Sequence, residues 1–226
     1  TMPDMPVRFT AKRMLVAVLV IAVHWWAFYG TGLNPVTIVE GMPAMWDLMH
    51  HMFPPSLKNY QELVRPALET VYIGVLATII GSVLSIPVGF LAAANLSPIY
   101  IYHPVRLFLN VFRGVSEIIW ALLFVVAVGL GPMAGVLALI IFAVGVQSKL
   151  VAEAVEAVDP GPLEAMRAVG ARPWKVFLYG AWPQVLPLYL TFCLYYWDHN
   201  TRQATILGFV GAGGIGIQLY ASINQF

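Results

Sequence analysis

Long hydrophobic runs separated by short polar segments make up most of the chain. Between Thr70 and Tyr102 there is no Asp, Glu, Lys or Arg. A run of that length exceeds the roughly 20 apolar residues that an α-helix needs to cross the hydrocarbon core of a bilayer. The pattern predicts five membrane-spanning helices, at about 14–29, 67–94, 104–128, 133–150 and 183–199. We therefore expect an all-α polytopic membrane protein.

The composition agrees with a membrane protein and excludes some other classes. Of the 226 residues, 60% are hydrophobic and 10% are charged, and the mean hydropathy is +0.79, whereas soluble domains carry roughly 25% charged residues. A net charge of +1 gives no indication of a nucleic-acid partner. The single cysteine, Cys193, lies in an apolar run and cannot form an internal disulfide.

The amino-terminal part predicts a tail followed by a retained helix. Residues 1–13 are basic and precede the apolar run at 14–29, so we assign them to a cytoplasmic tail. A cleaved signal peptide would end at small residues. The run ends instead at aromatic residues typical of a membrane interface, namely Trp25, Trp26 and Tyr29.

Residues 30–66 are too polar to span a membrane and predict an extracytoplasmic segment with an amphipathic helix. Methionines and histidines recur along it, at Met42, Met45, Met49, Met52, His50 and His51. Thioether and imidazole groups are ligands for copper, so a metal site is one interpretation. An interfacial helix anchored by Trp46 is the interpretation we favour, and we predict no metal site.

The polar stretch from Asp159 to Pro187 is predicted to form a cytoplasmic helical unit. Pro162 suits a first helical position, and Gly170 is typical of the residue just past a helix end. These signals predict a two-turn helix at Leu163–Val169. Pro173 disfavours helical geometry at Arg172 and so favours the start of a new helix. A second short amphipathic helix should therefore follow at an angle and end at Pro183. The acidic residues before this unit, Glu153, Glu156 and Asp159, predict a solvated face.

Several phrases in this half of the chain carry a family resemblance. Glu164-Ala165-Met166, followed by Gly170 and by Pro183, resembles the EAA signature of ABC-importer membrane subunits. The phrases EIIWALLFVVAVGLGP, EAMRAVGARPWKVFLYGAWPQVLP and RQATILGFVGAGGIGIQL resemble the phosphonate-transporter permease. The resemblance implies a type I ABC importer permease fold at 67–226, preceded by an extra transmembrane helix. Family members have one more spanning helix after the glycine-rich segment at 204–220, so the final helix of the core is expected to be missing from this sequence.

The resemblance also implies a function and partners. In the family, a cytoplasmic coupling loop, here 151–182, docks into an ATP-hydrolysing subunit. The residues that would dock are Leu163, Glu164, Ala165, Gly170, Ala171, Arg172 and Trp174. The implied assembly is a homodimer of this subunit with ABC ATPase subunits and an extracytoplasmic phosphonate-binding protein, in a bacterial inner membrane. ATP and Mg would bind to the ATPase, because this chain has no phosphate-binding loop motif and is predicted to be neither an enzyme nor a cofactor-binding protein.

Polar residues within or beside the spans are candidates for the substrate pathway. Arg113 and Glu117 lie four residues apart in the predicted third span, where they would either line the path or, as we favour, neutralise each other near its cytoplasmic end. Asn200 and Arg202 are predicted at the outer end of the fifth span, where they could receive an anion. Further candidates are the glycines of an irregular buried backbone, Gly211 and Gly213.

The distribution of positive charge predicts the orientation. With the amino terminus inside, nine basic residues fall on the cytoplasmic side, namely Arg8, Lys12, Arg13, Arg106, Arg113, Lys149, Arg167, Arg172 and Lys175. Three fall outside, namely Lys58, Arg65 and Arg202. This bias favours a cytoplasmic amino terminus. The alternatives for function are a permease for methionine, a metal or another oxyanion, and a membrane-embedded enzyme.

Overall fold

The computed structural model describes residues 11–32, 34–51, 53 and 60–223, and every regular element in these residues is a helix. The chain divides into two units, residues 1–57 and 58–226. Residues 1–10 of the predicted cytoplasmic tail lie outside the described residues.

The first unit contains two helices, α1 (Ala11–Gly30) and α2 (Pro35–His51). The described side chains of α1 are all exposed although they are mostly apolar, which suits a helix surrounded by lipid. At the start of α2 the Asn34 side chain accepts a hydrogen bond from Val36 N at 3.0 Å. Trp46 is exposed on α2, whereas Met52 and the side chain of His51 lie outside the described residues.

The second unit contains the longer helices. They are α3 (Tyr60–Leu91), α4 (Ile99–Gly114), α5 (Glu117–Val128), α6 (Pro132–Glu156), α7 (Pro160–Ala168), α8 (Pro173–Lys175), a π-helix (Val176–Ala181), α9 (Trp182–Leu207), a 3-10 turn (Gly208–Val210) and α10 (Gly216–Ile223). In the described part of the chain, four stretches are long and apolar enough to cross a membrane, and five if α4 and α5 form one broken span.

Helices α3 and α6 form the centre of the second unit and run parallel to each other. A Cβ added at Gly81 would lie 2.9 Å from Ala143 Cβ, and one added at Gly89 would lie 2.7 Å from Val151 Cβ. The contacts advance along both helices together, so the two helices have the same direction. Such close approach of backbones is the usual way in which membrane helices gain packing contacts.

Two buried apolar clusters lie at the two ends of this pair. The first, near the end of α6, includes Ala92, Val151, Val155, Leu163, Phe177 and Val185. The second, near the start of α6, includes Ile73, Ala121, Ala134, Leu139, Leu207 and Ala212. The α3–α6 pair therefore connects the end of the unit that packs on α7 to its glycine-rich end.

The prediction of one continuous helix over 104–128 is wrong. Helices α4 and α5 meet at an angle of 89°. Val115 and Ser116 between them have extended backbones, with ψ angles of 131° and 146°. Gly114 and Ser116 are poor interior helix residues, and serine is favoured at a helix start. These local preferences break the span although its hydrophobic pattern is continuous.

The predicted second short helix, ending at Pro183, is also wrong. Helix α8 continues through the π-helix into α9, and residues 173–210 form one candidate span. Pro183 is the second residue of α9, directly after the π-helix, so it does not end the helix although it has no N–H to donate. Helix α9 then extends to Leu207, beyond the predicted end of the fifth span.

Candidate docking helix and transport path

Helix α7 is bounded by well-formed caps. Asp159 Oδ1 accepts a hydrogen bond from Gly161 N at 3.0 Å, so the helix begins at Pro160 rather than at the predicted Leu163. At the other end Gly170 has φ +75°. Its N–H bonds to Arg167 O at 2.9 Å, while Ala171 N bonds to Met166 O at 3.1 Å. This pair of bonds is a Schellman motif, which favours glycine at the position with positive φ.

One side of α7 packs on the π-helix. Leu163 is buried, and a Cβ added at Gly180 would lie 3.5 Å from Leu163 Cα. Gln184 links the same elements, because its amide donates to Gly180 O at 2.9 Å and its oxygen accepts from Asp159 N at 3.2 Å. Leu163 therefore anchors α7 to the span, and the prediction that its side chain docks on a partner is wrong.

The opposite side of α7 is open. We use the name docking face for a group of exposed residues in and just after α7, namely Glu164, Ala165, Val169, Gly170, Arg172 and Trp174. Ala171, which was also predicted to dock, is half-buried. Val169 is 78% exposed, and sequence reasoning did not single it out. A protruding apolar residue beside a glycine of small volume is a surface that a partner protein can cover.

Ionic and polar contacts join the helix ends that lie near α7. Arg106 of α4 donates to both carboxylate oxygens of Glu156 of α6, at 2.8 and 2.9 Å. It also donates to Ala92 O at 3.1 Å, and Glu156 accepts from Ala94 N at 2.7 Å. Glu156 is exposed, as predicted for this face, but its carboxylate also binds Arg106 and Ala94, which the sequence did not predict. We call this group of four residues the Arg106 hub.

Helix α7 is connected to the loop between α3 and α4. Arg167 donates to Asn95 O, and the Asn95 amide donates to Val155 O at 2.8 Å. These contacts join residues 72 and 60 positions apart, so no sequence pattern could predict them. A movement of α7 would be passed to α3, α4 and α6 through these contacts and through the Arg106 hub.

The predicted Arg113–Glu117 pair is not formed. Arg113 ends α4, and Glu117 begins α5 after the bend. Glu117 Oε1 lies 3.0 Å from His199 Nε2 of α9 instead. Nor is the cytoplasmic position right, because a Cβ added at Gly145, near the middle of α6, would lie 3.2 Å from Arg113 N.

The two polar residues predicted at the outer end of the fifth span have different surroundings. Asn200 is fully buried, and its amide donates to Thr78 Oγ1 of α3 at 3.0 Å. It is therefore inside the helix packing and does not face an outer mouth. Arg202 is exposed and donates to Asp198 one turn earlier.

The glycine-rich segment packs against the starts of α3 and α6. Gly211 and Gly213 both have positive φ, and Gly211 O accepts from Gly131 N at 2.9 Å. Gly214 N donates to Glu69 Oε1 at 2.9 Å, and Ile215 N donates to Thr70 Oγ1 at 2.8 Å. The irregular backbone expected from the glycine density is present, but its two side-chain acceptors were not predicted.

Comparison with protein families gives a match that covers residues 85–226, which contain α7 and the broken span. The matching family is described as "Binding-protein-dependent transport system inner membrane component". The chain belongs to this family. It is thus a multi-pass inner-membrane permease subunit of an ABC importer, and its fold is that of the type I importers, as the resemblance implied. Such a permease works with a substrate-binding protein and with a separate ATPase, and is not itself an enzyme.

The permease has close relatives of known assignment. It is 40% identical to the phosphite transport system permease protein PtxC of Stutzerimonas stutzeri over 197 residues, which are 85% of this chain and 70% of PtxC. It is 45% identical to the phosphate-import permease protein PhnE of Mycolicibacterium smegmatis over 200 residues, which are 88% of this chain and 38% of PhnE.

Solved structures of the same fold include the MetNI methionine ABC transporter in an inward-facing conformation. Its matched chain superposes with a TM-score of 0.65 at 26% identity. The match covers 74% of the permease and 82% of the other chain.

Proposed function

We propose that this permease subunit moves a phosphorus oxyanion, of the phosphite, phosphate or phosphonate class, into the cytoplasm by alternating access. The observation that supports the proposal is a difference in sequence identity between two groups of relatives. Permeases named for phosphite, phosphate or phosphonate are 36–52% identical to this chain, whereas D-methionine permeases are 26–27% identical. Phosphorus oxyanions are therefore the favoured substrate class over methionine.

We infer that the docking face of α7 inserts into an ABC ATPase subunit. The face is open, and the opposite side of α7 is fixed to the rest of the subunit through Leu163 and Arg167. An attached helix of this kind can transmit a displacement, because packed elements move as rigid bodies. ATP and Mg would bind to the ATPase subunit, and this chain would bind no cofactor.

We further propose a homodimer with the amino terminus in the cytoplasm. The excess of Lys and Arg on the side of α7 supports this orientation. Large apolar side chains remain open on α5 and just beyond it, with Val126 88% and Leu130 79% exposed. Lipid or a second copy of the subunit would cover such residues. An extracytoplasmic binding protein would deliver the anion to the dimer.

An uptake assay tests the proposed substrate. The permease is reconstituted in proteoliposomes with its ATPase and binding protein, and ATP-driven uptake of labelled phosphite, phosphate and methylphosphonate is measured beside methionine. We expect uptake of at least one of the phosphorus oxyanions and none of methionine. Uptake of methionine alone would refute the proposal.

A bulky substitution tests the docking face. Gly170→Trp should abolish co-purification of the ATPase subunit, since nothing in the subunit lies within 4 Å of the added Cβ and the ring would point outward. The matched control is Gly170→Ala, which has the same strain at φ +75°, about 1–2 kcal/mol, but little bulk. Equal co-purification with both variants and the unmodified chain would contradict docking at this face. Equal loss with both would assign the effect to strain.

A further inference from the structure

The bend between α4 and α5 brings polar groups to the middle of the packed helices. Arg113 and Phe112 lie against Gly145, the fourteenth of the 25 residues of α6. Phe142, less than one turn away on α6, stacks on His199 with ring centroids 6.1 Å apart. Arg113, Glu117 and His199 therefore lie near the middle of a helix that is long enough to cross the membrane.

Two of these groups are partly enclosed and bound to each other. The side chains of His199 and Glu117 are 26% and 13% exposed, and their ring nitrogen and carboxylate oxygen are 3.0 Å apart. Tyr195 and Tyr196 also contact the imidazole, with centroids 6.4 and 5.6 Å from it. The pair is thus held in a fixed position by aromatic rings and by two helices, α5 and α9.

Arg113 differs from this pair because it is exposed. Among the residues that the structure describes, no carboxylate lies within ion-pair distance of its guanidinium. The backbone of Arg113 and the ring of His199 contact α6 only three residues apart, at Gly145 and Phe142, so both lie at the same level of α6. A guanidinium at this depth does not face lipid, and it requires a water-filled cavity or an anion.

We propose that Arg113 and His199 form the point inside the membrane path at which the passing oxyanion is bound. This inference rests on the proposed function and names residues for it. The guanidinium presents two parallel N–H donors that match two oxygens of a tetrahedral oxyanion. The Nε2–H of His199 supplies a third donor. When no anion is bound, Glu117 accepts the hydrogen bond from this N–H.

Glu117 gives this site the weak binding that transport requires. An ion in a conducting path must bind well enough to enter and weakly enough to leave. The carboxylate of Glu117 is already bound to the imidazole of His199, at 3.0 Å. An arriving anion must therefore compete with this carboxylate for the imidazole. The affinity comes from Arg113, and Glu117 limits it.

Uptake by variants is the first test, in the proteoliposomes described above with labelled phosphite, phosphate and methylphosphonate. Arg113→Gln should lower uptake about tenfold or more, as expected for the loss of a charged hydrogen-bonding group. Arg113→Lys keeps the charge but loses the two parallel donors, so it should lower uptake by less than Arg113→Gln does, and His199→Gln should also fall between the unmodified rate and that of Arg113→Gln. The control Lys149→Gln also removes one positive charge, but at a residue paired with Glu153 toward the cytoplasmic end of α6, and should leave uptake unchanged.

Protection from labelling is the second test, and a merely structural role for Arg113 would not affect it. Gly114 is exposed, with nothing within 4 Å of an added Cβ. In a chain carrying Gly114→Cys and Cys193→Ala, a negatively charged thiosulfonate reagent should label the new cysteine. Millimolar phosphite should slow this labelling several-fold relative to chloride at equal ionic strength. Adding Arg113→Gln should remove the protection.

The outcomes separate this inference from the proposed function. If the unmodified complex takes up none of the three oxyanions, the proposed function fails and this inference fails with it. If uptake occurs but Arg113→Gln does not change it, or if phosphite does not protect the cysteine, only the binding site is overturned. If Arg113→Lys loses as much uptake as Arg113→Gln, the arginine acts through packing and the site is also overturned.

Discussion

Removal of the arginine of the Arg106 hub should both destabilise the permease and weaken its coupling to ATP hydrolysis. Arg106 makes two hydrogen bonds to the Glu156 carboxylate, at 2.8 and 2.9 Å, and one to Ala92 O at 3.1 Å. Hydrogen bonds to charged groups contribute about 1.5–3 kcal/mol each. The two side chains are 27% and 29% exposed, and solvent screening lowers that contribution. We therefore expect Arg106→Gln to cost about 2 kcal/mol of unfolding free energy.

Thermal unfolding of the purified complex measures this cost. At about 2–4 °C per kcal/mol for a domain of this size, the unfolding midpoint should fall by about 4–8 °C. Lys149→Gln is the matched control, because its ammonium makes one contact to Glu153 at 3.7 Å and should contribute about 0.3–0.5 kcal/mol. In the same preparations, Arg106→Gln should raise the number of ATP molecules hydrolysed per anion imported.

A double-mutant cycle with Glu156→Gln isolates the ion pair from other effects of each substitution. The coupling energy between Arg106 and Glu156 should be about 1 kcal/mol or more, since one guanidinium nitrogen contacts both carboxylate oxygens and the pair is partly buried. An unfolding midpoint for Arg106→Gln equal to that of Lys149→Gln, together with a coupling energy near zero, would refute the assignment of a supporting role to the hub.

Three further substitutions test the packing of the second unit, each by thermal unfolding. Gly89→Leu should lower stability by about 1–3 kcal/mol, because an added Cβ would lie 2.7 Å from Val151; an unchanged midpoint would mean that α3 and α6 are not in contact there. Asn200→Ala should cost about 0.6–1.7 kcal/mol through loss of the bond to Thr78, and a gain in stability would contradict that bond. Gly213→Ala should cost about 1–2 kcal/mol because φ is +88°, and no cost would show that the loop has another conformation.

The sequence was informative wherever a local signal decides the structure. The number of long apolar stretches follows from residues that are close in the chain. Gly170 marks the end of α7 because glycine adopts a positive φ at little cost, whereas other residues do not. The bend at Val115 was missed because the hydrophobic pattern continues through it. The weak signals were Gly114 and Ser116, which are common in membrane helices and do not predict a break without packing information.

The candidate site was less predictable because its groups come from different helices. Glu117 was singled out from the sequence as a candidate, but its partner His199 lies 82 positions away and was not. Its spacing of four from Arg113 predicted a contact that requires an unbroken helix. Likewise, Leu163 was predicted to dock, and only its packing on the π-helix shows that its side chain is buried within the subunit.

The π-helix between α8 and α9 has a consequence for how the chain can vary in length. A π turn contains one residue more than an α turn, and each residue of an α-helix advances the rotation by about 100°. Deletion of one residue within Val176–Ala181 would convert this segment to ordinary α-helix and leave the membrane part of α9 in place. Everything before the deletion, including α7, would keep its rotation about the axis of α9, because the residue removed is the extra one of the π turn. A deletion within the α-helical part of α9 would instead rotate α7 by about 100°. The π segment can therefore lose one residue without changing the direction in which the subunit presents α7, whereas the α-helix that follows it cannot.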